Sequence, residues 1–175
     1  MQRLLDGEID ALIDLAPLDV MDDDRIEFMN LHNRHMVLVV EKSSRFARRE
    51  NVSFSELAEE TFAELTWDHF RPGWNHIVAQ CEKAGYTPKR SVRSAQTHTE
   101  ALAAPLNGSL LILAENEFDS RFIDSCGLAA IPIKDEGAVF SIDVMYLKEN
   151  ESKVRGFIRE LAAAQGLLKD KHPTF

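Results

Sequence analysis

The chain has 175 residues, 45% of them apolar by a broad count and 28% charged. Lys and Arg together number 20 against 29 Asp and Glu, a net charge of −9. That length holds one good core or two small lobes. The composition excludes a disordered chain. The charge excludes a nucleic-acid binder acting alone, because that binding rests on neutralising phosphates with Lys and Arg. It also disfavours docking on an anionic membrane.

No apolar run approaches the roughly 20 residues of a membrane span; the longest, Met36 to Val40, is strand-sized. The N-terminus turns acidic at Asp6 and Glu8 and carries no signal-peptide apolar region. Two cysteines, Cys81 and Cys126, make no disulfide framework. A soluble cytoplasmic domain with reduced thiols is the expectation.

Met1 to Leu5 reads as the last turns of a helix closed by Gly7, with a strand over Ile9–Ile13. A domain opening on a helix end suggests a lost beginning. Asp14 to Asn30 reads as an exposed loop. Its charged run Asp22-Asp23-Asp24-Arg25 lacks the calcium-loop spacing, so solvation is preferred to metal binding. Met36–Val40 is continuous and β-branched, a strand buried on both faces. Ser53 and Glu56 fit a capping box opening a short helix. A strand follows at Phe62–Trp67.

The loop Asp68 to Gly73 leads into a helix with Trp74, Ile77, Val78 and Cys81 on one stripe, closed by Gly85. Lys89–Ala95 alternates as a strand. Thr97 and Glu100 form a second capping-box candidate, opening a helix to about Asn107 that Pro105 should kink or shorten. A buried strand is expected at Ser109–Ala114, a short helix at Asn116–Ser125 and an extended piece at Ala129–Ile133. A strand over Val139–Leu147 precedes a last helix capped by Ser152, with an apolar stripe of Val154, Phe157, Ile158 and Leu161.

Strands alternating with helices imply an α/β fold with mainly parallel sheets and βαβ crossovers. Ligands in such sheets bind at the carboxyl ends of strands, beside helix N-termini. Three places qualify: Trp67 to Trp74, Gln96 to Thr99, and Ala114-Glu115.

The order of motifs resembles the effector-binding domain of LysR-type transcriptional regulators. Leu4-Leu5-Asp6-Gly7-Glu8-Ile9-Asp10 is similar to that family's "LL-x-G-E-hydrophobic-D" segment. Val52-Ser53-Phe54-Ser55-Glu56-Leu57-Ala58 is similar to "V-S-x-x-E-L-A", and Cys81 to Pro88 to "C-x-x-A-G-F-x-P". Thr99 to Ala114 resembles the helix and turn leading into "I-x-L-L-P", with Ala114 in place of the Pro and only Gly108 of a glycine pair. The resemblance spans about 160 residues.

It implies a two-lobed fold of the periplasmic-binding-protein type II kind. The first lobe would comprise 1–38 and 139–175 and be incomplete; the second would comprise 39–138. It also implies a small-molecule effector in the cleft, a homodimer or tetramer, and DNA contact only through a winged helix-turn-helix not in these residues. An incomplete first lobe would leave an exposed apolar edge near Ile9–Ile13.

Candidate effector-binding residues are Trp67, Asp68, His69, Arg71 and Gly73, then Thr97, His98 and Thr99, then Ala114 and Glu115. Arg71 at a helix start suits a carboxylate, and the surrounding rings suit an aromatic metabolite. The plainer alternatives are a capped surface loop, with Trp74 filling the core, and simple helix capping by the threonines. Asp10, Asp14 and Pro17 flank the first strand, where solvation is preferred. His32, His35, His69 and His76 suggest a metal, but His32 and His35 would point to opposite faces of a strand and no tetrahedral set is complete. No metal or other cofactor is expected.

Cys81 reads as a buried structural thiol, and a redox pairing with Cys126 has no specific support. No nucleophile elbow, phosphate loop or carboxylate pair appears, so an enzyme is not expected. The function expected is effector sensing for a bacterial transcription regulator. A transport-type binding protein or an enzyme of the same fold is the alternative.

Overall fold

The computed structural model describes residues 1–66, 70–115 and 117–169. Helices are α1 (Gln2–Leu5), α2 (Arg71–Lys83), α3 (His98–Ala103), α4 (Ser120–Ser125) and α5 (Glu151–Lys169). Strands are β1 (Ala11–Leu15), β2 (Ile26–Glu41), β3 (Thr61–Leu65), β4 (Lys89–Arg93), β5 (Leu111–Ala114), β6 (Leu128–Pro132) and β7 (Val139–Leu147). The chain divides into two compact units. One comprises Met1–Asn33 and the chain from Ser141 onward, the other Arg34–Phe140.

In the first unit, β1 pairs antiparallel with β7, Ala11 opposite Tyr146 and Leu15 opposite Ile142. The strand order continues from β7 to β2. Leu4, Ala16, Ile26, Met145 and Leu147 form the core, with Ile9 and Leu12 packed against it. Gly7 adopts φ +72°, which lets its N–H donate to the Leu4 carbonyl and end α1. The buried Asp143 carboxylate accepts from Asn30 Nδ2 and Ser141 Oγ, both at 3.0 Å, which offsets its desolvation. Ile13 is 44% exposed on β1.

In the second unit, β2 pairs antiparallel with β5 on one side and β6 on the other. β3 and β4 are parallel, with Thr61 opposite Lys89 and Leu65 opposite Arg93. A parallel bridge from Phe62 to Leu110 joins β3 to the chain entering β5. The core gathers Val39, Leu65, Leu102, Leu106, Leu111, Leu113, Ile123 and Leu128.

The α/β class stands, but the expectation of mainly parallel sheets is corrected. β1 with β7, β2 with β5 and β2 with β6 all pair antiparallel, whereas β3 and β4 pair in parallel. The cause is the long strands: β2 and β7 each have residues in both units. A strand inserted between β5 and β6 from outside their βα succession need not share their direction.

β2 also corrects the expected loop, which ends at Arg25 rather than Asn30. Ile26–His35 mixes apolar with polar residues and is half exposed, so it lacks the continuous apolar signal of Met36–Val40. α3 stops at Ala103, with Ala104 extended (ψ 141°), because the residue two before Pro105 is the last that keeps helical geometry. The expected helix at Asn116 begins only at Ser120, where Asp119 accepts from Arg121 N and caps it.

Candidate functional site

β3 and β4 run parallel, and the bridge at Phe62–Leu110 aligns the chain entering β5 with them. The carboxyl ends of these three strands therefore share one edge of the second unit. The segments leaving that edge lead into α2, α3 and α4. Thr66 N donates to the Arg93 carbonyl at 3.0 Å, tying the ends of β3 and β4 together.

His98 is the junction of the three segments. Its ring stacks on Phe70, just before α2, with centroids 4.3 Å apart and planes at 29°. It meets Phe118, beyond β5, edge-on at 6.4 Å. Its Nδ1 pairs with the Glu117 carboxylate. The other Glu117 oxygen accepts from Ala114 N at 3.3 Å. One imidazole, itself at the start of α3, thus contacts the segment before α2 and the segment after β5. Imidazole suits this because it offers both an aromatic face and a polar edge.

Thr97 caps α3: its Oγ1 accepts from Glu100 N at 3.1 Å. Glu100 reaches back to accept from Gln96 N at 2.6 Å, one residue before the cap. Thr97 is therefore engaged as a cap, whereas Thr99 stands exposed in the first turn. Arg71 and Gly73 occupy the first turn of α2, with Pro72 between them. Trp74 is half-buried, while Ile77 and Cys81 carry the buried stripe of that helix.

Ala114 ends β5 as a buried residue, and Glu115 turns out to solvent. The Glu115 backbone is held firmly. Its N–H donates to the His35 carbonyl at 2.7 Å, and its carbonyl accepts a fork from Arg34 Nε and Nη2 at 3.1 and 2.7 Å. Trp67, Asp68 and His69 lie outside the described residues.

A groove of about 500 Å³ opens beside these residues, lined by Ala114, Glu115, Glu117 and Phe118 over Val39, Leu113 and Ile123. Asp119 also lines it; hydrogen bonds from the Arg121 side chain and backbone hold its carboxyl below the usual carboxylate range. Sequence reasoning placed three loops here but missed Phe70, Glu117 and Phe118. Their partner is a histidine far away in sequence, so no local pattern marks them. Among the described residues, no group of three or more His, Cys, Asp or Glu could hold a metal ion.

The family model described as "LysR substrate binding domain" matches residues 1–166. The chain belongs to that family. No curated protein sequence matches it. Solved structures agree on the fold. The regulatory domain of MetR from N. meningitidis aligns with a TM-score of 0.71 at 13% identity, covering 95% of this chain and 75% of that one.

The C-terminal domain of a probable LysR family regulator from Rhodococcus sp. RHA1 aligns at 0.69 and 21% identity, covering 91% and 77%. A putative LysR family regulator from Pseudomonas aeruginosa aligns at 0.67 and 19% identity, covering 94% of this chain. This chain spans only 56% of that regulator. Two further likenesses were solved with ligands. They are the effector-binding domain of QuiR with shikimate, TM-score 0.62 at 17% identity, and that of BenM with benzoate, 0.64 at 15%. The fold is thus α/β of the two-unit LysR substrate-binding kind, and the family is one of transcription regulators.

Proposed function

We propose that this LysR substrate binding domain senses a small-molecule effector and passes its binding to a DNA-binding winged helix-turn-helix outside these residues. The observation that carries this reading is the convergence of three strand-end loops on His98, in a chain matched by the family over residues 1–166. A ligand seated on Arg71, Gly73, His98, Thr99, Ala114 or Glu115 would touch segments from three separate strands. It can then favour one arrangement of them over another, which is the physical requirement for sensing.

The shikimate and benzoate of two structural neighbours support a carboxylate or aromatic metabolite as effector. The reading includes a homodimer or tetramer, a cytoplasmic location and no catalysis. Among the described residues, no helix is long and apolar enough to cross a membrane.

A thermal-shift screen of carboxylate and aromatic metabolites tests it. A compound that raises the melting temperature of the wild type and not of His98→Ala, with the variant folded by circular dichroism, supports the site. A hit that stabilises both equally refutes the placement. Steady turnover of a hit by the wild type refutes the sensing role itself.

A further inference from the structure

The groove lined by Glu115 does not end at α4. A second groove of about 490 Å³ adjoins it, lined by Lys42, Ala47, Arg48, Asp124 and Leu128, and both are lined by Ser120, Ile123 and Ala130. All these residues belong to the second unit. The two grooves meet at Ser120, Ile123 and Ala130, and buried apolar side chains line both: Val39 and Leu113 in the first, Leu128 in the second and Ile123 in each are at most 6% exposed.

The charges along this path are mostly spent. Asp119 is bound by Arg121. Glu117 is bound by His98 and by the Ala114 N–H. Lys42 pairs with Asp124 at 2.6 Å and also donates to its carbonyl. Arg34, beside Glu115, bonds the carbonyl oxygen and not the carboxylate.

Two groups remain without a partner among the described residues: the Glu115 carboxylate and the Arg48 guanidinium. They stand in different grooves that share Ser120, Ile123 and Ala130. The neighbouring arginines differ from Arg48, since Arg45 pairs with Glu60 and Arg49 with Glu56, both at 2.6 Å.

We propose that the joined groove takes an elongated zwitterion: an ammonium at Glu115, a carboxylate at Arg48 and a methylene chain over Ile123 and Ala130. The chemistry is complementary in each part. A guanidinium matches a carboxylate with two parallel N–H donors. An ammonium matches an acceptor-only carboxylate. The apolar floor rewards a chain that leaves water. A ligand with one charge leaves the opposite end unused. The Glu115 end rests on the effector reading above, and the Arg48 end lies outside it.

Isothermal titration with ω-aminooctanoate, octanoate and octylamine tests this on the full chain. The zwitterion should saturate and bind about tenfold or more tighter than either one-ended compound, the factor expected for one charge-assisted pair. Arg48→Gln should remove that advantage over octylamine, and Glu115→Gln the advantage over octanoate.

Absence of saturable binding overturns the proposal. So does a zwitterion that binds no tighter than octanoate, or one whose affinity survives Arg48→Gln. A screen hit lost in His98→Ala but retained in Arg48→Gln, with ω-aminooctanoate unbound, sinks this groove and leaves the effector site standing. The opposite pattern, ω-aminooctanoate sensitive to Arg48→Gln with no hit sensitive to His98, sinks the effector placement alone.

Discussion

Thr97→Ala isolates one hydrogen bond at the start of α3 and reads out its worth. α3 has six residues, too short to persist without packing or caps. Its inner face supplies Ala101 and Leu102 to the core. Its first turn depends on the 3.1 Å bond from Glu100 N to Thr97 Oγ1. Removing the hydroxyl leaves one N–H without that acceptor. Thr97 is exposed, so water replaces the acceptor and the cost is that of a cap, not of a buried unsatisfied donor.

The expected loss is about 1 kcal/mol. For a chain of this length that lowers the melting temperature by roughly 2–4 °C. Both tryptophans of the sequence, Trp67 and Trp74, lie between residues 34 and 140, so their fluorescence follows the second unit. Thr97→Ser keeps the oxygen and should melt close to wild type. The reasoning is refuted if Thr97→Ala melts with the wild type, or if Thr97→Ser falls as far as Thr97→Ala.

Leu102 is 2% exposed within the core of the second unit, so Leu102→Ala should cost about 2–5 kcal/mol in urea denaturation; a loss below 1 kcal/mol would show a site that collapses freely. Burial pushes the Cys81 thiol up, whereas Cys126 is half-buried. An aromatic disulfide reagent should therefore modify Cys126 in the folded protein and Cys81 only on unfolding, and equal rates would contradict this.

Hydrogen bonds from the Ser53 N–H and hydroxyl hold the Glu56 carboxyl below its ordinary value of 4.5. A depressed folded value means the stabilisation is present above the ordinary value and fades as pH falls through the folded one. Glu56→Gln should thus flatten the acid limb of stability against pH, and parallel limbs would count against the capping box. The side-chain hydrogen bond from Arg25 lowers Asp23 to about 2. NMR titration should show Asp23 moving back toward 3.8 in Arg25→Gln, and no movement would remove Arg25 as the cause.

Local chemistry was legible wherever cause and effect lie within a few residues. The capping box at Ser53 and Glu56, the cap at Thr97, the stop at Gly7 and the shortening before Pro105 all formed where the residues implied. The first three depend on a backbone N–H and a neighbour three positions away, and the last on the ring and missing N–H of Pro105. The strand Val139–Leu147 also appears with the bounds its apolar alternation implied. Less legible was the first part of β2, where His32 and His35 sit exposed in a long strand. Exposure removes the apolar contrast that periodicity needs.

The candidate site divides along the same line. The rule that ligands sit at strand ends pointed to Trp67–Trp74, Gln96–Thr99 and Ala114-Glu115, and their described parts follow β3, β4 and β5. That His98 would stack on Phe70 and pair with Glu117 followed from nothing local, since the partners are 28 and 19 positions away. Those contacts exist because β3 and β4 run parallel while a bridge brings the chain entering β5 alongside.

By itself, then, the sequence determined the α/β class, the caps and turns, the family resemblance and the acidic balance. These depend on composition and on short-range hydrogen bonding. The tertiary structure decided the strand directions, the meeting of three loops on one imidazole, and which charges are spent in pairs and which are left. Those depend on pairings between residues far apart in the chain, and a linear pattern carries no distance between them.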